Sequence, residues 1–316
     1  MFLGPRTASF TTWGCLRLVR SASGGLANNS GRLTVGIKCL RAGYASLSRS
    51  QGERRTVIVT GSSRGIGKAI ALRLAADGYD VCINDVPANQ AGCDEVVKEI
   101  QKMGRKSVTA IADVSKRDQV KEMVQTSIKE LGPLDTMIAN AGICQVKSVL
   151  ELSTEEFEHM FAVNVFGVQN CFAEAAAQMI AQGTCKPDRP GKLIAASSVA
   201  GFKPFDMLPH YTSTKFAVRG LMHCYAMYMA QHHITANAYG PGIIDTDMWE
   251  LIDSHMAKRK GLSQGEVMRR RIEDEVALSR PGTGEDVAKL VSFLASSDSD
   301  YVTGQTQIVD GGSHYT

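Results

Sequence analysis

The chain has 316 residues, of which 44% are hydrophobic and 21% are charged, and its formal net charge is +3. These values are typical of a folded globular protein and exclude a largely disordered or collagen-like chain. No run approaches the roughly 18 consecutive apolar residues of a membrane-spanning helix, so we expect no membrane span.

The first 52 residues differ in charge from the rest of the chain. They contain seven basic residues and no acidic residue, and they are rich in Ser, Thr and Gly. This composition is typical of a mitochondrial transit peptide, and the compact apolar stretch of a secretory signal is missing. We therefore predict a mitochondrial matrix protein whose mature chain begins between about residues 42 and 53. A disordered tail on a cytoplasmic protein, or a wrongly spliced gene, is the alternative. The basic residues are Arg6, Arg17, Arg20, Arg32, Lys38, Arg41 and Arg49.

The remainder, residues 53–316, contains 28 basic and 32 acidic residues. It therefore has no overall charge reason to bind nucleic acid. The eight cysteines of the chain show no Cys-x-x-Cys or Cys-x-x-His spacing, so the sequence predicts no metal site. We interpret most of these cysteines as small buried side chains in a reducing compartment.

From Thr56 onward, short apolar runs alternate with helical patterns. This alternation predicts a single Rossmann-like, doubly wound α/β domain over residues 53–316, with a seven-stranded parallel sheet and helices on both faces. The predicted strands cover residues 56–60, 80–85, 107–112, 134–139, 192–197, 234–239 and 304–309. The predicted helices cover residues 65–77, 89–103, 116–131, 153–181, 210–231 and 285–295.

Residues 245–280 interrupt the alternation. They connect a strand to the last helix with far more chain than such a connection usually needs. Because this segment follows the carboxyl end of a strand, we expect it to form a lid over a substrate site.

A glycine-rich loop, Thr60-Gly-Ser-Ser-Arg-Gly-Ile-Gly67, follows the first predicted strand and opens the first predicted helix. Glycines let a pyrophosphate approach the backbone closely, and the helix N-terminus offers oriented N–H donors. The loop therefore predicts a dinucleotide-binding site.

Two residues near this loop bear on the choice between NAD and NADP. Asp85 ends the second strand, where its carboxylate can accept the ribose hydroxyls and would repel a 2′-phosphate. Arg64 favours the opposite choice, because a cation beside the ribose can hold that phosphate. We give Asp85 more weight and predict NAD, with NADP as the alternative.

Tyr211 and Lys215 are four residues apart on a predicted helix and therefore face the same side. The ammonium, together with the positive nicotinamide of an oxidised cofactor, favours the phenolate form, so Tyr211 can exchange a proton with an alcohol or a carbonyl. Ser198, at the end of a strand, can hold the substrate oxygen. Met207 and His210 are candidates for the substrate pocket or for ordinary positions before the helix.

In this order, the motifs resemble the short-chain dehydrogenase/reductase family over about residues 54–313. One position departs from the family pattern: Ala139 stands where the first Asn of Asn-Asn-Ala-Gly is usual. The matching motifs are the glycine loop, Asp113, Asn140-Ala-Gly142, Asn164, Ser198, Tyr211-x-x-x-Lys215 and Pro241-Gly-Ile-Ile-Asp-Thr246.

The resemblance implies a role for each of these residues. Asp113 would lie at the adenine ring, and Ile243 and Thr246 at the nicotinamide carboxamide. The implied catalytic residues are Asn164, Ser198, Tyr211 and Lys215. The implied cofactor-binding residues are Gly61, Ser63, Arg64, Gly65, Ile66, Gly67, Asp85, Asp113, Val114, Asn140, Ala141, Gly142, Tyr211, Lys215, Pro241, Gly242, Ile243 and Thr246.

The resemblance also implies a homotetramer. Helices 153–181 and 210–231 would pack against their symmetry mates, so each should be apolar on two faces. The candidate contact residues are Phe161, Val165, Val168, Phe172, Tyr225, Tyr228 and Met229.

Within the family, the chain is most similar to acetoin/diacetyl reductases and butanediol dehydrogenases. This similarity is carried by Ala196–Phe205, Lys215–Gly220, Asn237–Gly242 and Asp247-Met-Trp-Glu-Leu-Ile-Asp253. It implies an oxidoreductase that uses NAD(P) and acts on a small ketone or secondary alcohol, with diacetyl and acetoin as candidates.

Two other functions stay open at this point. One is an NADPH-dependent reductase of 3-oxoacyl thioesters or of secondary metabolites. In such an enzyme, two basic runs, residues 258–260 and 269–271, would contact a phosphopantetheine arm. The other is a nucleotide-binding sensor without catalysis, against which the intact set of Asn, Ser, Tyr and Lys argues.

Overall fold

Seven parallel strands form one sheet within residues 55–315, the part of the chain that the structure, a computed structural model, describes. The strands are β1 (Arg55–Val59), β2 (Tyr79–Ile83), β3 (Ser107–Thr109), β4 (Leu134–Ala139), β5 (Gly191–Ala196), β6 (Ile234–Pro241) and β7 (Thr306–Val309). The helices are α1 (Gly65–Ala76), α2 (Gln90–Lys102), α3 (Arg117–Leu131), α4 (Thr154–Phe161), α5 (Gly167–Gln182), α6 (Pro209–Met229), α7 (Asp247–Lys260), α8 (Glu266–Glu275) and α9 (Gly284–Ala295). The predicted doubly wound fold is confirmed. The predicted transit peptide, residues 1–52, lies outside the described residues.

The strands are apolar because helices cover both faces of the sheet. In β1, Val57 and Val59 belong to one buried cluster and Ile58 to the other, since successive side chains of a strand point to opposite faces. The two clusters are therefore two core layers, one on each side of the sheet.

The strand order is β3-β2-β1-β4-β5-β6-β7, and β1 pairs with β2 on one side and β4 on the other. The direction in which the chain adds strands reverses at β1. Loops after the carboxyl ends of β1 and β4 separate there and leave a crevice, which is where open α/β sheets bind ligands.

The predicted helix 153–181 is interrupted in the structure. A π-helical segment, Ala162–Phe166, separates α4 from α5. Such segments are common at functional sites, and this one carries Asn164. At the start of α4, Ser153 and Glu156 form a capping box, in which the side chain of each accepts a hydrogen bond from the backbone N–H of the other.

Two of the predicted tetramer contacts are wrong. Val168 and Phe172 are buried in the core layer on the sheet, so they cannot meet a symmetry mate. Of the predicted contacts, Tyr228 is exposed, at 63%, near the end of α6. Met227, at 83%, beside it, and Phe166, at 57%, on the π-helical segment, are also exposed but were not among the predicted contacts.

Residues 245–280 contain two helices, α7 and α8. Buried Asp253 accepts hydrogen bonds from the backbone N–H groups of Gly265 and Met268, the latter at 2.7 Å. The carboxylate therefore fixes the turn between the two helices and satisfies a free donor of the first turn of α8.

Among residues 55–315, no helix has the length and apolar character needed to cross a membrane. Burial raises the pKa of Cys82 and Cys171 to about 12, which keeps both thiols protonated and unreactive.

Candidate active site

A cavity of about 750 Å³ opens at the carboxyl ends of the strands, in the crevice beside β1. Of the predicted site residues, Ser63 and Asn164 are absent from its wall. The predicted residues that line it are Gly61, Arg64, Gly65, Ile66, Gly67, Asp85, Asp113, Val114, Asn140, Ala141, Gly142, Ser198, Tyr211, Lys215, Pro241, Gly242, Ile243 and Thr246. The fold therefore brings together segments that are far apart in sequence.

The glycine loop approaches α1 too closely for side chains. A Cβ on Gly67 would lie 2.1 Å from the carbonyl oxygen of Gly61, and Gly61 itself has a φ of +62°. A Cβ on Gly65 would meet only Thr246, at 3.8 Å, so this side of the loop is open. Within the described residues, no side chain caps the first turn of α1, which leaves its N–H groups to a ligand. This cradle fits a pyrophosphate.

Asp85 is held in place by hydrogen bonds from three residues. Its Oδ2 accepts a hydrogen bond of 2.6 Å from Ser63 Oγ, and its Oδ1 accepts 2.9 Å bonds from Asn89 Nδ2 and from the N–H of Val86. Ser63 thus acts behind the cavity wall by orienting Asp85. A fixed carboxylate at the end of β2 fits the two hydroxyls of an adenosine ribose.

Arg64 lies on the other side of the loop and pairs with α7. Its Nη1 is 2.6 Å from Asp247 Oδ2, in the first turn of that helix, and both side chains are about two-thirds exposed, at 67% and 66%. The guanidinium that could hold a 2′-phosphate is therefore engaged by a carboxylate of residues 245–280.

Asn140 fixes the glycine loop from the end of β4. Its Nδ2 donates to the carbonyl oxygens of Thr60, at 2.8 Å, and Gly61, at 3.0 Å, and its Oδ1 accepts from Tyr239 at 2.7 Å. Sequence reasoning did not identify buried Tyr239, which looks like an ordinary strand residue. Ala139 is buried in the core, so the departure from the family pattern does not alter these contacts.

Tyr211 and Lys215 lie together on α6, as predicted. Lys215 Nζ is 5.3 Å from the centroid of the Tyr211 ring and donates to the carbonyl oxygen of Ala196 at 2.9 Å. Burial raises the pKa of Tyr211, and a hydrogen bond with Ser198 opposes this effect. Burial also lowers the pKa of Lys215 to about 8.

The predicted effect of the ammonium together with an oxidised nicotinamide on Tyr211 stays a prediction. Desolvation of the charged form exceeds the opposing effect of the hydrogen bond, so Tyr211 stays protonated near neutral pH. A protonated phenol is ready to donate to a carbonyl oxygen.

Asn164 is fully buried behind the cavity. Its Oδ1 accepts from the N–H of Ile143 at 2.9 Å, and its Nδ2 donates to the carbonyl oxygen of Ile143 at 3.0 Å and to Thr214 Oγ1 at 3.2 Å. A Cβ on Gly142 would lie 3.3 Å from Asn164 Oδ1 and 3.7 Å from Lys215 Nζ. The amide therefore positions the segment after β4 beside Lys215. A direct role in the reaction stays a prediction.

An apolar cluster packs around Tyr211 on the substrate side. We call the cavity-lining members of this cluster the apolar chamber: Cys144, Phe205, Leu208, Met248, Trp249 and Ile252. His210 is absent from the cavity wall and is fully buried, with Nε2 3.1 Å from Gln145 Oε1, while Met207 packs in the same cluster without lining the cavity. Phe205, Met248, Trp249 and Ile252 lie in the segments that carry the subfamily similarity, whereas no motif pointed to Cys144 or Leu208.

The two basic runs on α7 and α8 mostly lie outside the cavity. Arg269 pairs with Glu273 and Arg270 with Glu266 along α8, and of the six basic residues only Arg271 lines the cavity. The predicted contact of both runs with a phosphopantetheine arm is therefore not supported by their positions. Within residues 55–315, no three side chains of His, Cys, Asp or Glu form a metal-binding group.

Known proteins resemble this chain along most of its length. The profile of the family described as short chain dehydrogenase matches residues 55–257. An L-2,3-butanediol dehydrogenase from Corynebacterium glutamicum is 40% identical over 83% of this chain and 99% of its own. A diacetyl reductase that forms (S)-acetoin, from Staphylococcus epidermidis, is 41% identical over the same shares. The crystal structure of an acetoin dehydrogenase from Salmonella typhimurium has a TM-score of 0.70 and 31% identity, over 82% of this chain and 97% of that chain.

Proposed function

This chain belongs to the short-chain dehydrogenase/reductase family and is an NAD(P)-dependent oxidoreductase of ketones and secondary alcohols, and we propose that it reduces vicinal diketones and α-hydroxyketones such as diacetyl and acetoin. The observation that carries the proposal is the apolar chamber, whose aliphatic, sulfur-containing and aromatic side chains pack with Tyr211 and line the same cavity. The names of the similar butanediol dehydrogenase and diacetyl reductase support the same substrate class.

In the proposed reaction, Tyr211 donates its proton to the carbonyl oxygen. A bound nicotinamide ring supplies the hydride for reduction and accepts it for oxidation. Ser198 Oγ orients the substrate oxygen beside the phenol. Lys215, 5.3 Å from the ring centroid, stabilises the negative charge that Tyr211 acquires as the proton leaves. Asn164 positions Lys215 through the segment after β4.

For the cofactor we propose NAD rather than NADP. Asp85 would place a carboxylate against a 2′-phosphate, and the cation that could compensate, Arg64, is paired with Asp247. The first turn of α1 would bind the pyrophosphate through its free N–H groups.

A steady-state assay of diacetyl, acetoin and acetoacetyl-CoA with NADH and NADPH tests the proposal. We expect the largest kcat/KM for diacetyl with NADH. A preference for the thioester with NADPH would overturn both the substrate and the cofactor assignment. The Tyr211→Phe protein serves as the control for background reduction.

We also propose import into the mitochondrial matrix, supported by the seven positive charges before the first acid. Each charge gains about 2.3 kcal/mol per 100 mV of membrane potential. A fusion of residues 1–52 to a fluorescent protein should colocalise with mitochondria, with a version in which the seven basic residues are replaced by Gln as the control. Diffuse cytosolic fluorescence of the unmodified fusion would contradict import.

A further inference from the structure

Arg271 differs from its neighbours on α8 because it lines the same cavity as Tyr211. Its guanidinium carbon lies 5.0 Å from the ring centroid of Phe205 and 5.8 Å from that of Trp249. The side chain is 27% exposed, whereas those of Arg269 and Arg270 are 58% and 53% exposed. Two aromatic rings thus hold this cation at the cavity wall and shield it partly from water.

The two rings connect Arg271 to the reaction centre. The N–H of Phe205 donates to Thr212 Oγ1 at 3.4 Å, next to Tyr211, and Trp249 Nε1 donates to the carbonyl oxygen of Gly242 at 3.3 Å. Both rings pack in the cluster that contains Tyr211. Arg271 therefore packs on two members of the cluster that contains Tyr211.

One edge of the Arg271 guanidinium is free. Glu275 occupies the opposite edge: Arg271 Nε donates to Glu275 Oε1 and Arg271 Nη2 donates to Glu275 Oε2, both at 3.0 Å. Within the described part of the chain, Nη1 donates no hydrogen bond, so the edge formed by Nη1 and the second Nη2 hydrogen can take another carboxylate.

The charge around this edge is also unbalanced. Lys203 and His314 line the same cavity, and Lys203 lies close enough to Glu275 to contribute to the lowering of its pKa, after the larger effect of the hydrogen bond from Arg271. Two cations therefore share one carboxylate at this end of the cavity, which suits an anionic ligand group.

We propose that Arg271 binds a carboxylate of the substrate, so that the enzyme also accepts short oxo acids, in which the carboxylate lies a few carbon atoms from the reacting carbonyl, and prefers them to their neutral esters. The inference rests on the proposed reaction at Tyr211 but not on the choice of diacetyl. In the reduction, the carbonyl carbon gains a hydride, its oxygen gains the proton of Tyr211, and the carboxylate passes unchanged into a hydroxy acid. Because the contact persists through the reaction, Arg271 lowers KM more than it raises kcat.

The test compares 3-oxobutanoate, 4-oxopentanoate and 5-oxohexanoate with their methyl esters, and includes diacetyl. For at least one acid, the unmodified protein should show a kcat/KM about tenfold above that of the ester, as one charge-assisted bidentate contact permits. Arg271→Gln should abolish this preference, because KM for the acid should rise by about tenfold more than KM for the matching ester. Arg269→Gln, on the same helix but outside the cavity, is the matched control and should keep the preference.

A thermal-shift measurement with NADH and butanoate, a short carboxylate that cannot be reduced, gives a readout independent of turnover. We expect butanoate to raise the Tm of the unmodified and Arg269→Gln proteins but not of Arg271→Gln. Equal rates on acids and esters, or an unchanged preference in Arg271→Gln, would overturn the inference. If the unmodified protein does not reduce diacetyl but still prefers the acids to their esters, the proposed substrate class is overturned and the role of Arg271 stands.

Discussion

At the scale of single residues, the reactivity of Tyr211 depends on its burial. Desolvation keeps the phenol protonated, which suits reduction of a ketone, and Lys215 lies where the phenolate forms. Ser198 opposes the desolvation through one hydrogen bond. Ser198 lies just after β5, and Tyr211 and Lys215 lie on α6, so the sheet and the helix packed on it hold the three side chains in position.

Replacing Tyr211 by Phe removes the proton donor and keeps the ring. We expect kcat to fall by at least about a hundredfold, the usual lower range for a general acid, with NADH binding retained. Stopped-flow turnover and NADH fluorescence measure the two quantities. Tyr225→Phe is the control, because that hydroxyl bonds to Gln169 outside the cavity. Near-normal turnover of Tyr211→Phe would rule out this proton donor.

The pH dependence of ketone reduction should follow the protonation of Lys215. Burial lowers its pKa to about 8, so Nζ carries its proton below that pH and loses it above. The uncharged amine no longer stabilises the Tyr211 phenolate, and we therefore expect kcat/KM for ketone reduction to be level below about pH 8 and to fall above it. Circular dichroism across the same range checks that the fold is intact. A profile that stays flat to pH 9.5 would contradict this assignment.

At the scale of elements, the pair of Arg64 and Asp247 joins the glycine loop to α7. The two residues are 183 positions apart, and the pair connects the loop predicted to bind the cofactor to the segment predicted to cover the substrate. Its exposure makes it sensitive to salt. We therefore expect residues 245–280 to affect the choice of cofactor.

Asp247→Asn should release Arg64 for a 2′-phosphate. We expect the ratio of kcat/KM for NADPH to that for NADH to rise by about threefold to tenfold at low salt, and to rise further in combination with Asp85→Ser, because a repulsive carboxylate is then also removed. Glu250→Gln changes the same charge in the same turn of α7 and is the control. An equal effect of both substitutions would show only a general change in charge.

At the scale of the whole molecule, we expect α6 and the π-helical segment to meet symmetry mates. Met227 and Tyr228 are exposed there, together with Phe166. Exposed apolar side chains that lie close together are typical of protein interfaces.

Replacing both Met227 and Tyr228 by Glu should therefore convert a homotetramer into smaller species, because like charges would face each other across the symmetry axis. Light scattering measures the mass. Met103→Glu, an exposed apolar position at the end of α2, should leave the mass unchanged. A stable monomer before any substitution would refute the assembly.

The alternation of buried strands and helices could be predicted from the sequence, because residues that form one strand or helix are neighbours in the chain. The same holds for the glycine loop and for Tyr211 with Lys215, whose spacing by itself places them on one face. What the sequence could not predict depends on distant segments. Asn164 lies in the π-helical segment that interrupts a predicted helix, and it binds the backbone of Ile143. Val168 and Phe172 face the sheet, whereas the helical pattern alone also allowed them to face outward.

The sequence by itself therefore determined the family and the sheet and predicted the residues of the reaction centre, since each is encoded by local pattern and spacing. Only the tertiary structure decided that burial keeps Tyr211 protonated, that Arg64 pairs with Asp247, and that Arg271 alone of six basic residues reaches the cavity. Desolvation and long-range ion pairs depend on the distance and water access between groups that no spacing in the chain specifies.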